Sequence, residues 1–307
     1  MKKQIVCLGP KGSYGHCVAE WVNERHFCNE ADIVFVSGNK EVLCRVDDGP
    51  EYRRVGVVPI YNSTNIQSIV PEVMRFFLSR DNQATEYLLG RHPIRQRLQV
   101  TDRISLRVHH QLLVLEPNVS MGEIRTVKSH PQGLGQCAYN LTQLGDIALE
   151  SVLSTSGAAK MVAEAGDRSM AAISSSFCAR LYNLHTLKKD FEDDTQGNYT
   201  HFYLVEKMRG NRLIRGSSKV VILLWPKQNK PGVLHKITEP MDSAGINMTY
   251  QTTILTGGGV DGEIVFFMEI EIHKNPLVMD AVLILLAEMS KKMVVLGSFT
   301  REDVIDD

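Results

Sequence analysis

The sequence predicts an α/β chain in two parts, a run of strand–polar turn–helix units followed by a ferredoxin-like βαββαβ unit. Two patterns carry this. Short β-branched runs, several ending in Ser or Thr ahead of a helical apolar repeat, recur between Ile5 and Ile173. Beyond residue 217 the order changes to strand, helix, two strands flanking Gly257-Gly258-Gly259, helix and strand.

With 307 residues and 43% hydrophobic content, the chain has material for two domains with real cores. A formal net charge of -1, with basic residues scattered, argues against a nucleic-acid or membrane surface as the main partner. Cys7, Cys17, Cys28, Cys44, Cys137 and Cys178 form no C-x-x-C pair and no zinc spacing. Reduced thiols in a cytoplasmic protein are expected. After Lys2 and Lys3 the apolar run covers only Ile5–Leu8, too short for a signal peptide. No stretch approaches the ~20 apolar residues of a membrane-spanning helix.

Ile5–Leu8 reads as a first strand, followed by the turn Gly9–Gly15 and a helix through Val18, Trp21 and Val22. Free N–H groups at that helix start attract anions, Gly12 and Gly15 leave room for a ligand, and Ser13 offers a hydroxyl. Val55–Ile60 is a buried strand that empties into Tyr61-Asn62-Ser63-Thr64-Asn65, where an open α/β sheet binds ligands. The following helix carries Ile69, Val70, Val73, Met74 and Phe77. Ile104–Val108 alternates as a strand, and His109–Leu115 continues the extended pattern. His109 and His110 then point to opposite faces, so a shared metal is not expected and at least one is structural.

Ser129 caps a helix through Leu134, Cys137, Ala138 and Leu141. Val152–Ser156 and Met170–Ser176 repeat the strand–hydroxyl–helix device. Several anion-friendly helix starts facing one cleft suit a small substrate with more than one carboxylate. Asn198-Tyr199-Thr200-His201-Phe202 precedes the strand Tyr203-Leu204-Val205, which sets the Thr200 hydroxyl at a strand mouth. Residues 209–217 read as a linker. Strands Val220–Trp225, Asn247–Leu255, Glu263–Ile272 and Met293–Leu296 follow, with helices after Gly232 and from Pro276 to Met289.

Over nearly its whole length the chain resembles the prephenate dehydratase family. Leu8-Gly9-Pro10-Lys11-Gly12-Ser13-Tyr14 is similar to L-G-P-x-G-[ST]-[FY], and Gly56–Ser63 to G-V-V-P-I-E-N-S. Ser129-His130-Pro131-Gln132 with Gln136-Cys137 resembles S-H-P-Q-A-L-x-Q-C. Ser154-Thr155, Ala158-Ala159 and Ala171-Ala172-Ile173 resemble S-T-x-x-A-A…A-A-I. Asn198–Phe202 corresponds to N-x-T-R-F, whose threonine is the family's catalytic hydroxyl. Lys230–Leu234, Gly245-Ile246-Asn247 and Leu296–Phe299 resemble an ACT domain.

The resemblance implies a two-lobed, periplasmic-binding-protein-like (type II) catalytic domain over 1–208, a linker over 209–217 and a ferredoxin-like ACT domain over 218–307. It implies prephenate as substrate, no metal or organic cofactor, and a homodimer or higher homo-oligomer formed through the ACT domain. The implied site is Thr200 with Asn62, Ser63, Ser129, Gln132, Ser154 and Thr155, and Ser13 joins the substrate-binding residues from the reading of the glycine-rich turn.

Three positions depart from the family. Tyr61 replaces the glutamate of E-N-S, His201 replaces the arginine of T-R-F, and Gln251-Thr252-Thr253-Ile254 replaces the E-S-R-P segment tied to phenylalanine binding. Tyr61 and His201 are therefore read as catalytic positions beside Thr200, where a changed charge alters proton delivery. On that ground the expected reaction is decarboxylation of prephenate without aromatisation, giving a dihydro-4-hydroxyphenylpyruvate for secondary metabolism. The alternative is the dehydratase reaction to phenylpyruvate, water and CO2 in phenylalanine biosynthesis. A non-catalytic binding protein on the same scaffold is the third reading.

Overall fold

The computed structural model describes residues 3–48, 54–64, 70–79, 98–194, 197–208, 213, 216–256, 262–300 and 302–307. The chain folds into two compact units that do not follow its linear order. One holds Met1–Val73, Ile104–Tyr203 and Asp303–Asp307, the other Met74–Arg103 and Leu204–Glu302.

The first unit has two lobes. In lobe one, β1 (Gln4–Leu8), α1 (Tyr14–Phe27), β2 (Asp32–Val36), α2 (Asn39–Asp48) and β3 (Arg54–Asn62) make a doubly covered parallel core. Ile5 stands opposite Ile33 in β2 and Val55 in β3. Because β1 and β3 are covered on both faces, they read as unbroken apolar runs, and Val57, Val58 and Ile60 are fully buried. After α3 (Pro71–Ser79), β4 (Leu98–Arg107) ends in this lobe.

Lobe two contains β5 (Gln111–Val114), β6 (Thr126–Ser129), α4 (Pro131–Gln136), α5 (Ala138–Thr142), β7 (Ala148–Ser151), α6 (Thr155–Ala165), β8 (Met170–Ser174), α7 (Ser176–Tyr182) and β9 (His185–Lys188). Its sheet runs β7-β6-β8-β5-β9. Alternation along β5 sends Leu112 and Val114 into one core with Val127 and Ile173, and Leu113 into another with Ala158, Ala159 and Ala172. The chain returns to lobe one through β10 (Tyr199–Lys207), which lies between β3 and β4.

The extended pattern expected from Ile104 to Leu115 breaks at residues 108–110, where the chain passes from one lobe to the other. The backbone N–H groups explain the break. His109 donates to Asp307 Oδ2 (3.1 Å) and His110 to Glu192 Oε2 (2.8 Å), so neither joins a strand ladder. The helix expected through Leu134 and Leu141 likewise divides at Cys137, whose φ of -118° and ψ of 17° interrupt it. Leu153, expected in a strand, is 99% exposed and lies after β7.

The second unit carries β11 (Lys219–Pro226), α8 (Val233–Ser243), β12 (Met248–Thr256), β13 (Glu263–Glu271), α9 (Pro276–Met289) and β14 (Ser290–Phe299). The strand order β12-β13-β11-β14 is the ferredoxin-like one. Val220, Ile222, Leu224, Phe266 and Met268 meet Ile237, Met241, Val282, Leu283 and Leu286 of the two helices. The first part of β4 lies beside β14, with Val100 opposite Gly297. Arg103, in that part, makes a buried ion pair with Glu269 and reaches Glu302 at 3.1 Å. A final strand, β15 (Glu302–Asp306), pairs with β4.

The linker at 209–217 and the glycine run at 257–259 lie largely or wholly outside the described residues, as do Asn65 and Ile69. All six cysteines are free. Burial pushes the thiols of Cys7 and Cys17 up to about 12. No helix among the described residues is long and apolar enough to cross a membrane.

Candidate active site

Thr200 stands near the start of β10, across from Asn62 at the end of β3. Asn62 Nδ2 donates to Thr200 Oγ1 at 2.9 Å and to Asn198 Oδ1 at 2.7 Å. Asn62 Oδ1 accepts both the backbone N–H of Thr64 (3.0 Å) and its hydroxyl (2.6 Å). Ser63 stitches the same two segments, donating to Gly197 O at 3.1 Å and accepting from Tyr199 N at 2.8 Å. Gly197 (φ +123°) is required here, since a Cβ would fall 2.8 Å from the Tyr199 ring.

Lobe two reaches this cluster through Gln136, the last residue of α4. Its Nε2 donates to Thr64 Oγ1 (3.2 Å), and its Oε1 faces Asn198 Nδ2 (3.5 Å) and His110 Nε2 (2.7 Å). His110 is buried, and that burial holds its imidazole below the usual histidine range. Asn198, Thr64, Gln136 and His110, drawn from both lobes and from the crossover at 108–110, thus form a hydrogen-bonded network that meets the Thr200 hydroxyl through Asn62.

Tyr61 and His201 lie elsewhere. Successive residues of a strand point to opposite faces, so Tyr61 and His201 share the face that Asn62 and Thr200 do not. Their rings meet at 4.2 Å between centroids, Tyr199 lies 6.4 Å from the His201 ring, and Ser105 Oγ bonds His201 Nδ1 at 2.7 Å.

The helix-start hydroxyls are occupied locally. Ser13 caps α1 by accepting from His16 N (3.2 Å) and donates to Leu8 O (2.9 Å). Ser154 caps α6 by accepting from Gly157 N at 2.9 Å, directly before Thr155. Ser129 is fully buried and donates to Ile173 O at 2.8 Å. Gln132 is exposed at the start of α4. A Cβ on Gly133 would come 2.8 Å from Ser129 Oγ and 3.4 Å from Thr155 Cγ2, which sets these three positions together.

The glycine turn expected to admit a ligand instead receives lobe two. Gly12 (φ +90°) leaves room for Ser156, Cys178 and Leu181, whose atoms would lie 3.0–3.3 Å from a Cβ there. Cys178 Sγ bonds Gly12 O (3.1 Å), Tyr182 Oη donates to Lys11 O (2.9 Å), and Gly12 N donates to His16 Nδ1 (3.0 Å).

Among the described residues, one His/Asp/Glu group has metal-like spacing: His109, Asp190 and Glu192, with donor atoms within 4.8 Å of one another. His109 Nδ1 lies 3.0 Å from each carboxylate, so the three satisfy one another across the two crossovers. Glu192 of this group also accepts the His110 backbone N–H at 2.8 Å, on the side of His110 away from Gln136 in the hydrogen-bond sequence.

The prephenate dehydratase family profile matches residues 5–209. The chain belongs to the prephenate dehydratase family. A prephenate dehydratase of Methanocaldococcus jannaschii is 28% identical over 278 residues, covering 90% of this chain and 91% of that protein. The solved structure of a prephenate dehydratase from Arthrobacter aurescens, in complex with L-Phe, superimposes with a TM-score of 0.76 at 20% identity, covering 97% of this chain and 90% of that one. A quorum-quenching acylase superimposes with a TM-score of 0.75 at 23% identity over 97% of both chains. These two likenesses show the two-lobed α/β fold with its ferredoxin-like unit.

Thr64, Gln136, Asn198 and His110 were not singled out as site residues from sequence. The first three sit inside stretches already marked, next to Ser63, after Gln132 and before Thr200. His110 carried no such signal, because its partner Gln136 is 26 residues away.

Proposed function

We propose that this chain is a prephenate dehydratase, converting prephenate to phenylpyruvate, water and CO2. The observation that carries the reading is the bond from Asn62 Nδ2 to Thr200 Oγ1. A hydroxyl that accepts from an amide keeps its own proton for a third party. In the dehydratase reaction that third party is the departing C4 hydroxyl: as the ring carboxylate leaves as CO2, the electron pair of the broken C–C bond shifts through the ring and expels the C4 oxygen, which takes the proton and leaves as water.

The non-aromatising decarboxylase expected from sequence rested on Tyr61 and His201, and the facing of these two positions weighs against it. By strand alternation both substitutions lie on the face that Thr200 does not occupy, where their rings meet at a 34° tilt. The proton donor and its amide are those of the family. Membership of a family named for the dehydratase, and a full-length relative of that name, support the same side.

Asn62 is assigned as the residue orienting Thr200, with Gln132 and Thr155 as further substrate contacts. Ser13 and Ser154 act by capping helix starts, and Ser63 by joining β3 to the segment before β10. Ser129, expected as a cap, instead ties the end of β6 to β8, and the cap of α4 is His130, whose Nδ1 accepts from Gln132 N at 3.2 Å. The unit from residue 218 onward is assigned as an ACT domain through which copies of the chain associate. With Gln251–Ile254 on β12, where Gln251 Nε2 bonds Thr253 Oγ1 at 3.3 Å, phenylalanine is expected to bind it weakly.

The test is product identity. Purified protein incubated with prephenate near neutral pH, without added metal or cofactor, is expected to give phenylpyruvate, read by NMR and ultraviolet absorbance. A non-aromatic product retaining the ring hydroxyl would restore the decarboxylase reading. Binding without turnover would leave only the scaffold.

A further inference from the structure

The orientation of every amide around Thr200 follows from one backbone group. The N–H of Thr64 can only donate, so the Asn62 atom that accepts it at 3.0 Å is Oδ1. Nδ2 of Asn62 must then face both Thr200 Oγ1 and Asn198, and Asn198 must meet it with Oδ1. Asn198 turns its own Nδ2 to Gln136, which therefore presents Oε1 and leaves Nε2 for Thr64 Oγ1. The Thr64 hydroxyl, having accepted, gives its proton to Asn62 Oδ1 at 2.6 Å. The ring Asn62–Asn198–Gln136–Thr64 closes with no donor facing a donor.

His110 completes the pattern from outside the ring. Its Nε2 lies 2.7 Å from Gln136 Oε1, which has only lone pairs to offer, so Nε2 carries the hydrogen. Nδ1 is buried and, among the described residues, has no hydrogen-bond partner, His110 being 2% exposed. A proton on Nδ1 would lie buried and unanswered, and burial further disfavours the charged ring, with Glu192 and His109 the charged or titratable neighbours. The Nε2–H tautomer is the form the surroundings accept.

We propose that His110 is a positioning residue for Thr200, acting through Gln136. The bond at Gln136 Oε1 is short, whereas the bond from Asn198 to the same oxygen is long at 3.5 Å. Without the imidazole N–H, the Gln136 amide loses its stronger lock and can rotate. A rotated amide offers Thr64 an acceptor, which draws the Thr64 proton away from Asn62 Oδ1. The constraint that makes Asn62 a donor to Thr200 then rests on one backbone N–H. Since Gln136 comes from lobe two, and Thr64 and Asn62 from lobe one, the lock is complete only when the lobes meet. The proposal rests on reading Thr200 as a proton donor.

Two measurements test it. Long-range 1H–15N NMR on the ring-labelled wild-type protein at neutral pH is expected to show His110 as the Nε2–H tautomer with Nδ1 unprotonated. A proton on Nδ1, alone or together with Nε2, would overturn the assignment whatever reaction the protein catalyses. In the second arm, His110→Phe is expected to lower kcat roughly ten-fold, with KM changed far less. His110→Gln, whose side-chain N–H can stand near the imidazole Nε2, is expected to recover most of the loss. Unchanged kcat in His110→Phe, or equal loss in the glutamine and phenylalanine variants, overturns the positioning role. If wild-type protein makes no phenylpyruvate, the activity reading fails, and the tautomer measurement still decides the hydrogen-bond pattern.

Discussion

Asn62 Nδ2 lies 2.9 Å from Thr200 Oγ1, with the amide held in place by the Thr64 backbone N–H at 3.0 Å. The pair joins the end of β3 to the start of β10, two strands separated by more than a hundred residues of chain. Its polarity matters more than its presence. As acceptor, Thr200 is left with one proton and, among the described residues, no acceptor that takes it.

Reversing that polarity should disable the site. Asn62→Asp replaces an N–H donor by a carboxylate, which can only draw the Thr200 proton to itself. We expect kcat to fall by about 10²-fold or more, within the range of lost general-acid catalysis, and Thr200→Ala to fall comparably. Thr200→Ser, which keeps the hydroxyl, should retain more activity than Thr200→Ala. Steady-state kinetics on the three variants checks this. Near-wild-type kcat in Asn62→Asp would show that the bond is not used.

The second prediction concerns the two substituted positions. Tyr61→Glu with His201→Arg restores the residues that the family motifs carry, but on the face away from Thr200. The double variant is expected to make the same product as wild type, phenylpyruvate, with a rate changed by less than about ten-fold. Product NMR of the two proteins side by side is the measurement. A change in product between them would mean that these side chains direct the proton despite facing away.

How much of this was legible in the sequence depends on the range of the interaction. Strand mouths at Ser63, Ser129 and Thr200 could be read, because a polar cluster ending an apolar run is a local signal. The βαββαβ unit was readable for the same reason, and Pro276–Met289 ends where its apolar pattern ends. Facing was not. Tyr61 beside Asn62, and His201 beside Thr200, look like neighbours in sequence, yet strand alternation separates each pair. The period-2 rule holds for these four because they lie in β3 and β10, whereas His109 and His110, for which it was expected, sit in the break at 108–110. The Gly9–Gly15 turn shows a different limit. A glycine that admits a ligand and a glycine that admits a packed neighbour are the same residue in sequence, and only the position of Ser156 and Cys178 distinguishes them.

A third prediction tests the buried ion pair of the second unit. Glu269 is fully buried and Arg103 is 5% exposed. Arg103→Met leaves the Glu269 carboxylate in the interior without its guanidinium and should destabilise by about 3–5 kcal/mol. Pairing it with Glu269→Leu removes the second charge and should recover much of that loss, since an apolar pair of similar volume is often as stable. Thermal unfolding of the single and double variants checks both. Equal loss in the two would locate the cost in packing rather than in the stranded charge.

The last prediction is a pH dependence at the crossover between lobes. Asp307 accepts the backbone N–H groups of His109 (3.1 Å) and Ser176 (3.3 Å). Burial, reinforced by the Glu192 charge, outweighs those bonds and pushes the Asp307 carboxyl up to about 6. Raising an acid's value on folding means that the folded state holds the proton more tightly than the unfolded one. The contribution to stability is therefore fully present below the ordinary aspartate value near 4 and is lost as pH rises through about 6. Asp307→Asn keeps a carbonyl acceptor and has no proton to lose. Relative to that variant, wild-type protein should lose on the order of 2 kcal/mol between pH 4 and pH 8, at about 1.4 kcal/mol per unit. Unfolding midpoints of both proteins across that range give the difference directly. Parallel pH profiles would mean that Asp307 ionises in the folded protein as it does in the unfolded chain, and that the two N–H donors compensate its burial.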